Sequence, residues 1–246
     1  MKLSIIIPAH NEEECIKDTI VQLSICMIEN KIEHEILVIY DNCSDNTENI
    51  LIELKKTINE LIYIDNSPVK GYGSAVQKGF ERFSGDAVLI YMADSSDTPE
   101  DVCLFYKQIL NGYDCVFGSR FIEGGKVIDY PKVKYIVNRS ANWLIKIAFG
   151  LKYHDITSSF KMYRAHVIQG IQPLKSAYFN ISIEIPLKAI IRGYKYTVIS
   201  NTWINRTSGK SKLNLREMGT RYFLTMLECL SEKWFKKKSI PIKSKN

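Results

Sequence analysis

Four short runs rich in aliphatic residues, Ser4–Ile7, Ile36–Tyr40, Leu61–Ile64 and Ala87–Tyr91, constrain the fold of this chain more than any other feature. Between them lie Glu12–Glu29, Thr47–Ile58 and Ser74–Phe83, each with apolar residues at helical spacing. The runs are apolar on both faces, whereas a strand with one wet face would alternate. That is the pattern of a parallel sheet covered by helices on both sides. Strand and helix in strict turn predict a β-α-β-α-β-α-β, Rossmann-like layer. In such sheets ligands bind beyond the carboxyl ends of the strands. Each run here gives way to a polar segment: Pro8-Ala9-His10-Asn11-Glu12, Asp41-Asn42-Cys43-Ser44-Asp45-Asn46, Lys70-Gly71-Tyr72-Gly73-Ser74 and Met92-Ala93-Asp94-Ser95-Ser96-Asp97. Chemistry is expected along that edge.

The second half is less regular. Ala141–Phe149 predicts a helix, and Ser159–Tyr163 and Tyr196–Ile199 predict strands. Leu215–Phe235 is amphipathic, with Leu215, Met218, Tyr222, Met226, Leu230 and Trp234 at steps of three or four. No linker interrupts the 246 residues, so the expected organisation is one domain over residues 1–213 and an amphipathic helix with a basic tail over 214–246. No apolar run reaches the roughly 18 residues of a membrane span. The opening Met1–Pro8 is too short for a signal-peptide core. Six scattered cysteines without a C-x-x-C pair suggest neither a disulfide framework nor a zinc site, and a cytoplasmic protein is expected. Residues 206–246 hold eleven Lys and Arg against three Glu, a net +8, while the rest carries −2. Such a tail suits an anionic partner, of which a membrane surface is one. With no aromatics interleaved beyond Trp234 and Phe235, it does not make a nucleic-acid reader.

Individual motifs each have a plainer reading. Gly71-Tyr72-Gly73-Ser74-Ala75-Val76 comes after the third strand rather than the first and lacks the last glycine of a dinucleotide loop. It predicts a turn before a helix and no NAD. Asp94 and Asp97, three residues apart in a turn, suit one hard divalent cation that keeps water and phosphate oxygens as its other ligands. Asp97 equally suits the N-cap of a helix opening at Thr98-Pro99-Glu100. Asp41 can accept hydrogen bonds from a ribose or base, or open an Asx-rich turn. His10 and His154 have no nucleophile motif beside them, which favours structural roles.

Taken together the motifs resemble glycosyltransferase family 2, and within it the dolichyl- and polyprenyl-phosphate sugar synthases. The family's P-x-x-N-E-E is matched at Pro8 to Glu13, and its D-x-S-x-D-x-T at Asp41 to Thr47 with the serine shifted by one. G-x-G-x-A-x-x-x-G-F matches Gly71 to Phe80, and G-S-R-(Y/F)-x-x-G-G matches Gly118 to Gly125. D-x-T-S-G-F matches Asp155 to Phe160 with Ser159 for glycine, and R-x-x-G-x-S-K-L corresponds to Arg206 to Leu213. One departure is chemical: Met92 replaces the first carboxylate of the D-A-D that many relatives carry.

The resemblance implies an α/β, Rossmann-like GT-A nucleotide-sugar-binding fold with a mostly parallel central sheet and a C-terminal amphipathic helix. It implies a nucleoside-diphosphate sugar donor, of the GDP-mannose or UDP-glucose type, and inverting transfer of its hexose to a polyprenyl phosphate at the cytoplasmic face of a membrane. Pro8, Ala9, Glu12, Asp41, Ala93 and Asp94 would hold the donor. Asp94 and Asp97 would hold Mg²⁺ or Mn²⁺ against the departing diphosphate. Arg120, Lys134, Asn138, Arg139 and Arg206 would hold the acceptor phosphate, with Asp94, Asp97, Arg120 and Arg206 carrying the catalysis. Two other readings fit the motifs: extension of a saccharide hydroxyl, which needs a general base, and a non-catalytic nucleotide-sugar-binding protein, suggested by Met92.

Overall fold

A computed structural model describes residues 1–206 and 215–236 of the chain. Residues 207–213 of the last family motif and the basic tail 237–246 lie outside the described residues. The elements run β1 (Leu3–Ala9), α1 (Ile16–Glu29), β2 (His34–Tyr40), α2 (Thr47–Lys55), β3 (Leu61–Asp65), α3 (Tyr72–Arg82), β4 (Ala87–Ile90) and α4 (Pro99–Leu110). They continue with β5 (Cys115–Ser119), β6 (Lys126–Ile128), α5 (Lys132–Phe149), β7 (Lys161–Arg164), α6 (Ala165–Gly170), α7 (Ile181–Ile191), β8 (Tyr196–Ser200), β9 (Thr202–Ile204) and α8 (Leu215–Lys236).

Seven strands form one sheet in the order β3-β2-β1-β4-β7-β5-β8. All neighbours are parallel except β7, which runs antiparallel to both β4 and β5. The small β6–β9 ladder stands apart as a parallel pair. Alternating side chains explain the two cores. From β1, Leu3, Ile5 and Ile7 face the layer containing α1, α2 and α4, while Ile6 faces the layer containing α3, α5, α7 and α8. Every residue of β1 is buried, as a strand covered on both sides requires.

The expected β-α alternation is present, with shifted boundaries that have local causes. Helix α1 begins at Ile16 rather than Glu12 because side chains of the next loop capture the preceding amides. Glu12 N donates to Thr47 Oγ1 at 2.9 Å and Glu13 N to Asp45 Oδ2 at 3.1 Å. Helix α3 starts at Tyr72, directly after Gly71, whose φ of 114° only glycine adopts without strain. Helix α5 extends back to Lys132, well before the Ala141 expected from its pattern. Its first half is exposed, so no buried stripe marks it in the sequence.

Helix α8 has two apolar faces. Met226, Cys229 and Leu230 pack into the second core, and Asn180 Nδ2 on α7's N-cap donates to Thr225 Oγ1 at 2.9 Å. Phe223, Leu224, Leu227, Trp234 and Phe235 point outward. Beneath α8, buried Glu184 of α7 accepts from Lys188 Nζ at 2.6 Å and from the amides of Lys175 and Ser176. Burial alone would raise the Glu184 pKa, but the bonds from Lys188 and Ser176 outweigh it and hold the carboxyl below its ordinary value. Removing one partner of such a buried pair costs about 3–5 kcal/mol. Glu184→Ala should therefore lower stability by that amount, whereas Glu53→Ala, which breaks the exposed pair with Lys56, should cost less than about 1 kcal/mol. Because its pKa is depressed, Glu184's contribution is present above the unfolded carboxyl pKa of about 4.3 and fades as pH falls through the folded value. Denaturant unfolding at pH 7 and pH 4 checks both the ranking and the sign.

Candidate active site

A cavity of about 610 Å³ opens at the carboxyl ends of β1, β2 and β4. The first two loops there are knitted together. Asp41 N donates to Ala9 O at 2.7 Å, His10 Nδ1 lies 2.5 Å from Asp41 O, and Asn11 Oδ1 accepts from Ser44 N at 2.7 Å. Asp41 is oriented from both sides: Oδ2 accepts from Gly71 N at 2.7 Å and Oδ1 from Asn42 Nδ2 at 2.7 Å. Gly73 lies so close to the backbone of Ser176 and Ala177 that a β-carbon would collide with it. That contact lets Tyr72 stack on Phe179, with centroids 4.2 Å apart, as one wall of the cavity.

The acidic turn after β4 is fixed from below. Thr19 of α1 donates to Ala93 O at 2.9 Å and lies 2.6 Å from Ser95 Oγ, holding Ser95 at a left-handed φ of 55°. Asp94 and Asp97 both line the cavity. Asp97 is not the helix cap: Thr98 holds that position, with Pro99 opening α4. Burial, and next the charge of Asp94, push the Asp97 carboxyl well above the usual range, against the pull of Arg120. Two acids set in one turn and lining one cavity form a donor set suited to a hard divalent ion. Among the described residues no group of three or more His, Cys, Asp or Glu converges as a metal cage. A cation here would complete its shell with water and phosphate oxygens.

The cations occupy two different states. Arg120, just past the end of β5, makes a forked pair with fully buried Asp155: Nε to Oδ2 at 2.8 Å and Nη2 to Oδ1 at 2.7 Å, with Arg120 N also on Oδ2 at 3.0 Å. Burial opposes the charge of Arg120, and Asp155 overrides it, so its pKa stands above the ordinary value. Arg206 instead lies across the acidic turn, with Nη2 2.9 Å from Asp94 Oδ2 and 3.2 Å from Glu12 Oε1. Lys134, from α5, lies over the Trp203 ring at 5.3 Å and the Tyr130 ring at 5.7 Å, and burial followed by the charge of Arg120 lowers its pKa.

Of the residues expected at the site, Pro8, Ala9, Glu12, Asp41, Ala93, Asp94, Asp97, Arg120, Lys134, Asn138 and Arg206 all line this cavity. Arg139 does not: its guanidinium donates to His154 O at 3.0 Å and covers Phe121. Sequence reasoning missed Tyr130, Trp203, Tyr178, Phe179 and Tyr222, which also line it. They come from loops, strand β9 and helix α8, with no motif of their own. The buried Asp155–Arg120 pair was within reach, since both residues stand in matched motifs.

Residues 4–171 match the model of the family described as Glycosyl transferase family 2. The chain is 32% identical over 216 residues to a dolichol-phosphate mannosyltransferase of Pyrococcus furiosus, covering 87% of this chain but 59% of that longer relative. It is 28% identical over 227 residues to a polyprenol monophosphomannose synthase of Mycolicibacterium smegmatis, covering 87% of this chain and 82% of that one. Among solved structures, glucosyl-3-phosphoglycerate synthase of Mycobacterium tuberculosis in complex with Mn²⁺, UDP-glucose and phosphoglyceric acid superposes with a TM-score of 0.69 at 19% identity. That match covers 94% of this chain and 80% of the other. At such identity the likeness is one of fold.

Behind the Arg120–Asp155 pair, buried Lys161 donates to Ile156 O at 2.9 Å and Ser182 O at 3.3 Å. Burial pulls its pKa down to about 7. An unfolded lysine titrates near 10.4, so between about pH 7 and 10 the unfolded chain binds the extra proton and stability rises with pH. Lys161→Met should remove up to about 1.4 kcal/mol per pH unit from that rise. Urea denaturation of both proteins at pH 7 and pH 9 measures the difference in slope.

Proposed function

The chain belongs to glycosyl transferase family 2, and we propose that it moves a hexose from a nucleoside-diphosphate sugar to a polyprenyl phosphate, inverting the anomeric carbon. The observation that carries this reading is the polarity of the cavity, acidic at the Asp94–Asp97 turn and cationic at Arg120 and Lys134. A lipid phosphate is already anionic at neutral pH, so it attacks without a general base. That accords with acids already engaged by guanidinium groups: Glu12 and Asp94 by Arg206, and Asp155 by Arg120. An alcohol acceptor would need a carboxylate free to take a proton; of the other acids on the cavity, Asp97 is given to the cation in this reading and Asp41 accepts from Gly71 N and Asn42 Nδ2.

In this reading Pro8, Ala9 and Asp41 receive the nucleoside along the strand ends. Asp94 and Asp97 hold Mg²⁺ or Mn²⁺, which when bound offsets the charge growing on the leaving diphosphate. Arg120, locked by Asp155, presents a fixed positive charge to the acceptor phosphate beside Lys134 and Asn138. GDP-mannose and UDP-glucose types of donor both suit this arrangement.

A lipid acceptor has to be met at a bilayer. Among the described residues no helix is long and apolar enough to cross one. Helix α5 exposes Val133, Ile136, Trp143, Leu144 and Ile147, and adjacent α8 exposes Phe223, Leu224, Leu227, Trp234 and Phe235. Lys233 Nζ on Phe149 O joins the two helices at 2.8 Å. So large an apolar surface, with two exposed Trp among its residues, favours peripheral docking on a membrane.

Three outcomes test the reading. Radiolabelled GDP-mannose and UDP-glucose, each offered with Mg²⁺ to polyprenyl phosphate and to free saccharides, should label the lipid; label on saccharide alone contradicts it. Lys134→Ala should raise the KM for lipid phosphate about tenfold or more, the loss of a charge-assisted contact of about 1.5–3 kcal/mol, with donor affinity unchanged. Ile136→Glu with Ile147→Glu should abolish co-sedimentation with liposomes while leaving the melting temperature within a few degrees, because both side chains are exposed.

A further inference from the structure

We propose that Arg206 is a built-in counter-ion that occupies the cation seat before substrate arrives, and that a divalent cation takes Asp94 from it and frees its guanidinium for the incoming diphosphate. The inference rests on the metal-assisted transferase reading and adds an exchange step to it.

Glu12 and Asp94 converge on one guanidinium at the wall of the cavity, and carboxylates this close repel each other unless a cation lies between them. Arg206 supplies that charge. Its grip differs in kind from the one Arg120 has on Asp155. Arg206 places both Nε and Nη2 on the same oxygen, Asp94 Oδ2, at 3.1 and 2.9 Å. Its Nη2 is shared with Glu12 at 3.2 Å. Arg120 spans both oxygens of Asp155 in a fork. The Arg206 and Asp94 side chains keep 15% and 12% of their surface open, against 8% and 0% for Arg120 and Asp155. One pair is a fixed strut; the other borders the cavity and is open to exchange.

The backbone that carries Arg206 is tied to the acidic turn. Ile204 N donates to Ser96 O at 2.9 Å, and Trp203 bridges Asp97. The guanidinium can therefore leave Asp94 by side-chain rotation while β9 remains in place. Arginine keeps its proton at any working pH, so a divalent ion arriving at Asp94 sets two cations on one carboxylate, and their repulsion loosens the Arg206 pair. The guanidinium loosened in this way is a phosphate ligand by nature.

Binding of Mn²⁺ alone to the full chain, monitored by loss of the free-ion electron paramagnetic resonance signal, tests the exchange without any turnover. Arg206→Gln should bind Mn²⁺ at least tenfold more tightly than wild type, Arg206→Lys should stay near wild type, and Asp94→Asn added to Arg206→Gln should cancel the gain. With Mn²⁺ saturating, Arg206→Gln should bind GDP or UDP at least fivefold more weakly, a reversal of sign that a merely structural role would not give. Unchanged or weaker Mn²⁺ binding by Arg206→Gln, a gain that survives Asp94→Asn, or undiminished nucleotide binding each overturns the proposal. None of these readouts uses a lipid acceptor, so failure of the transferase reading shows separately in the labelling experiment.

Discussion

Strands β1, β2 and β4 are parallel and covered by helices on both faces, so their polar neighbours are driven to the two ends of the sheet. The ends divide the work. At the amino end, buried Glu35 gathers Lys2, Ser4 and Ser84 within 2.6 to 2.7 Å, and burial, overcome by those bonds, leaves its pKa below the ordinary value. That carboxylate is answered within the protein. At the carboxyl end the loops leave carboxylates facing a cavity. The same constraint that makes the strands apolar thus concentrates charge where a ligand can answer it.

The antiparallel strand β7 completes the site. A parallel strand inserted between β4 and β5 would bring its first residues to the amino end. Running the other way, β7 begins at the carboxyl ends of its neighbours, and the segment leading into it, Asp155 to Phe160, arrives beneath the cavity. This is how Asp155 meets Arg120, 35 residues earlier in the chain. It is also why Lys161, the first residue of β7, is buried next to that pair. Reversing one strand gives the acidic edge left by the parallel strands a second, cationic wall.

The first layer was legible in the sequence because hydrophobic period and loop polarity agree there. Strands apolar on both faces and polar strand ends point to one topology, and eleven of the twelve residues assigned to the site line its cavity. Legibility faded where contacts are long in sequence and short in motif. Helix α7 is apolar almost all round and contains Pro186, so it shows no helical stripe. Tyr130 and Trp203 meet edge to face at 4.8 Å although 73 positions separate them, and no local pattern announces a shared wall. Arg139 shows the opposite failure: it lies one residue from Asn138 on α5, but helical geometry turns adjacent side chains about 100° apart, and Arg139 is carried to Phe121 instead.

The two arginines show why residue type alone does not assign a role. Both stand in matched motifs and both are cationic, and each pairs with a carboxylate at 2.7 to 2.9 Å. What separates them is the dielectric around the partner. Asp155 is sealed from solvent, so loss of Arg120 would strand a buried charge, and the fork resists exchange. Asp94 borders a cavity open to solvent, where screening weakens its hold on Arg206 and an ion of higher charge can compete. For the proposed binding of a doubly charged ion and then a phosphate, the arrangement offers one cation that stays and one that yields. Burial, set by where β7 and β9 meet the sheet, decides which is which.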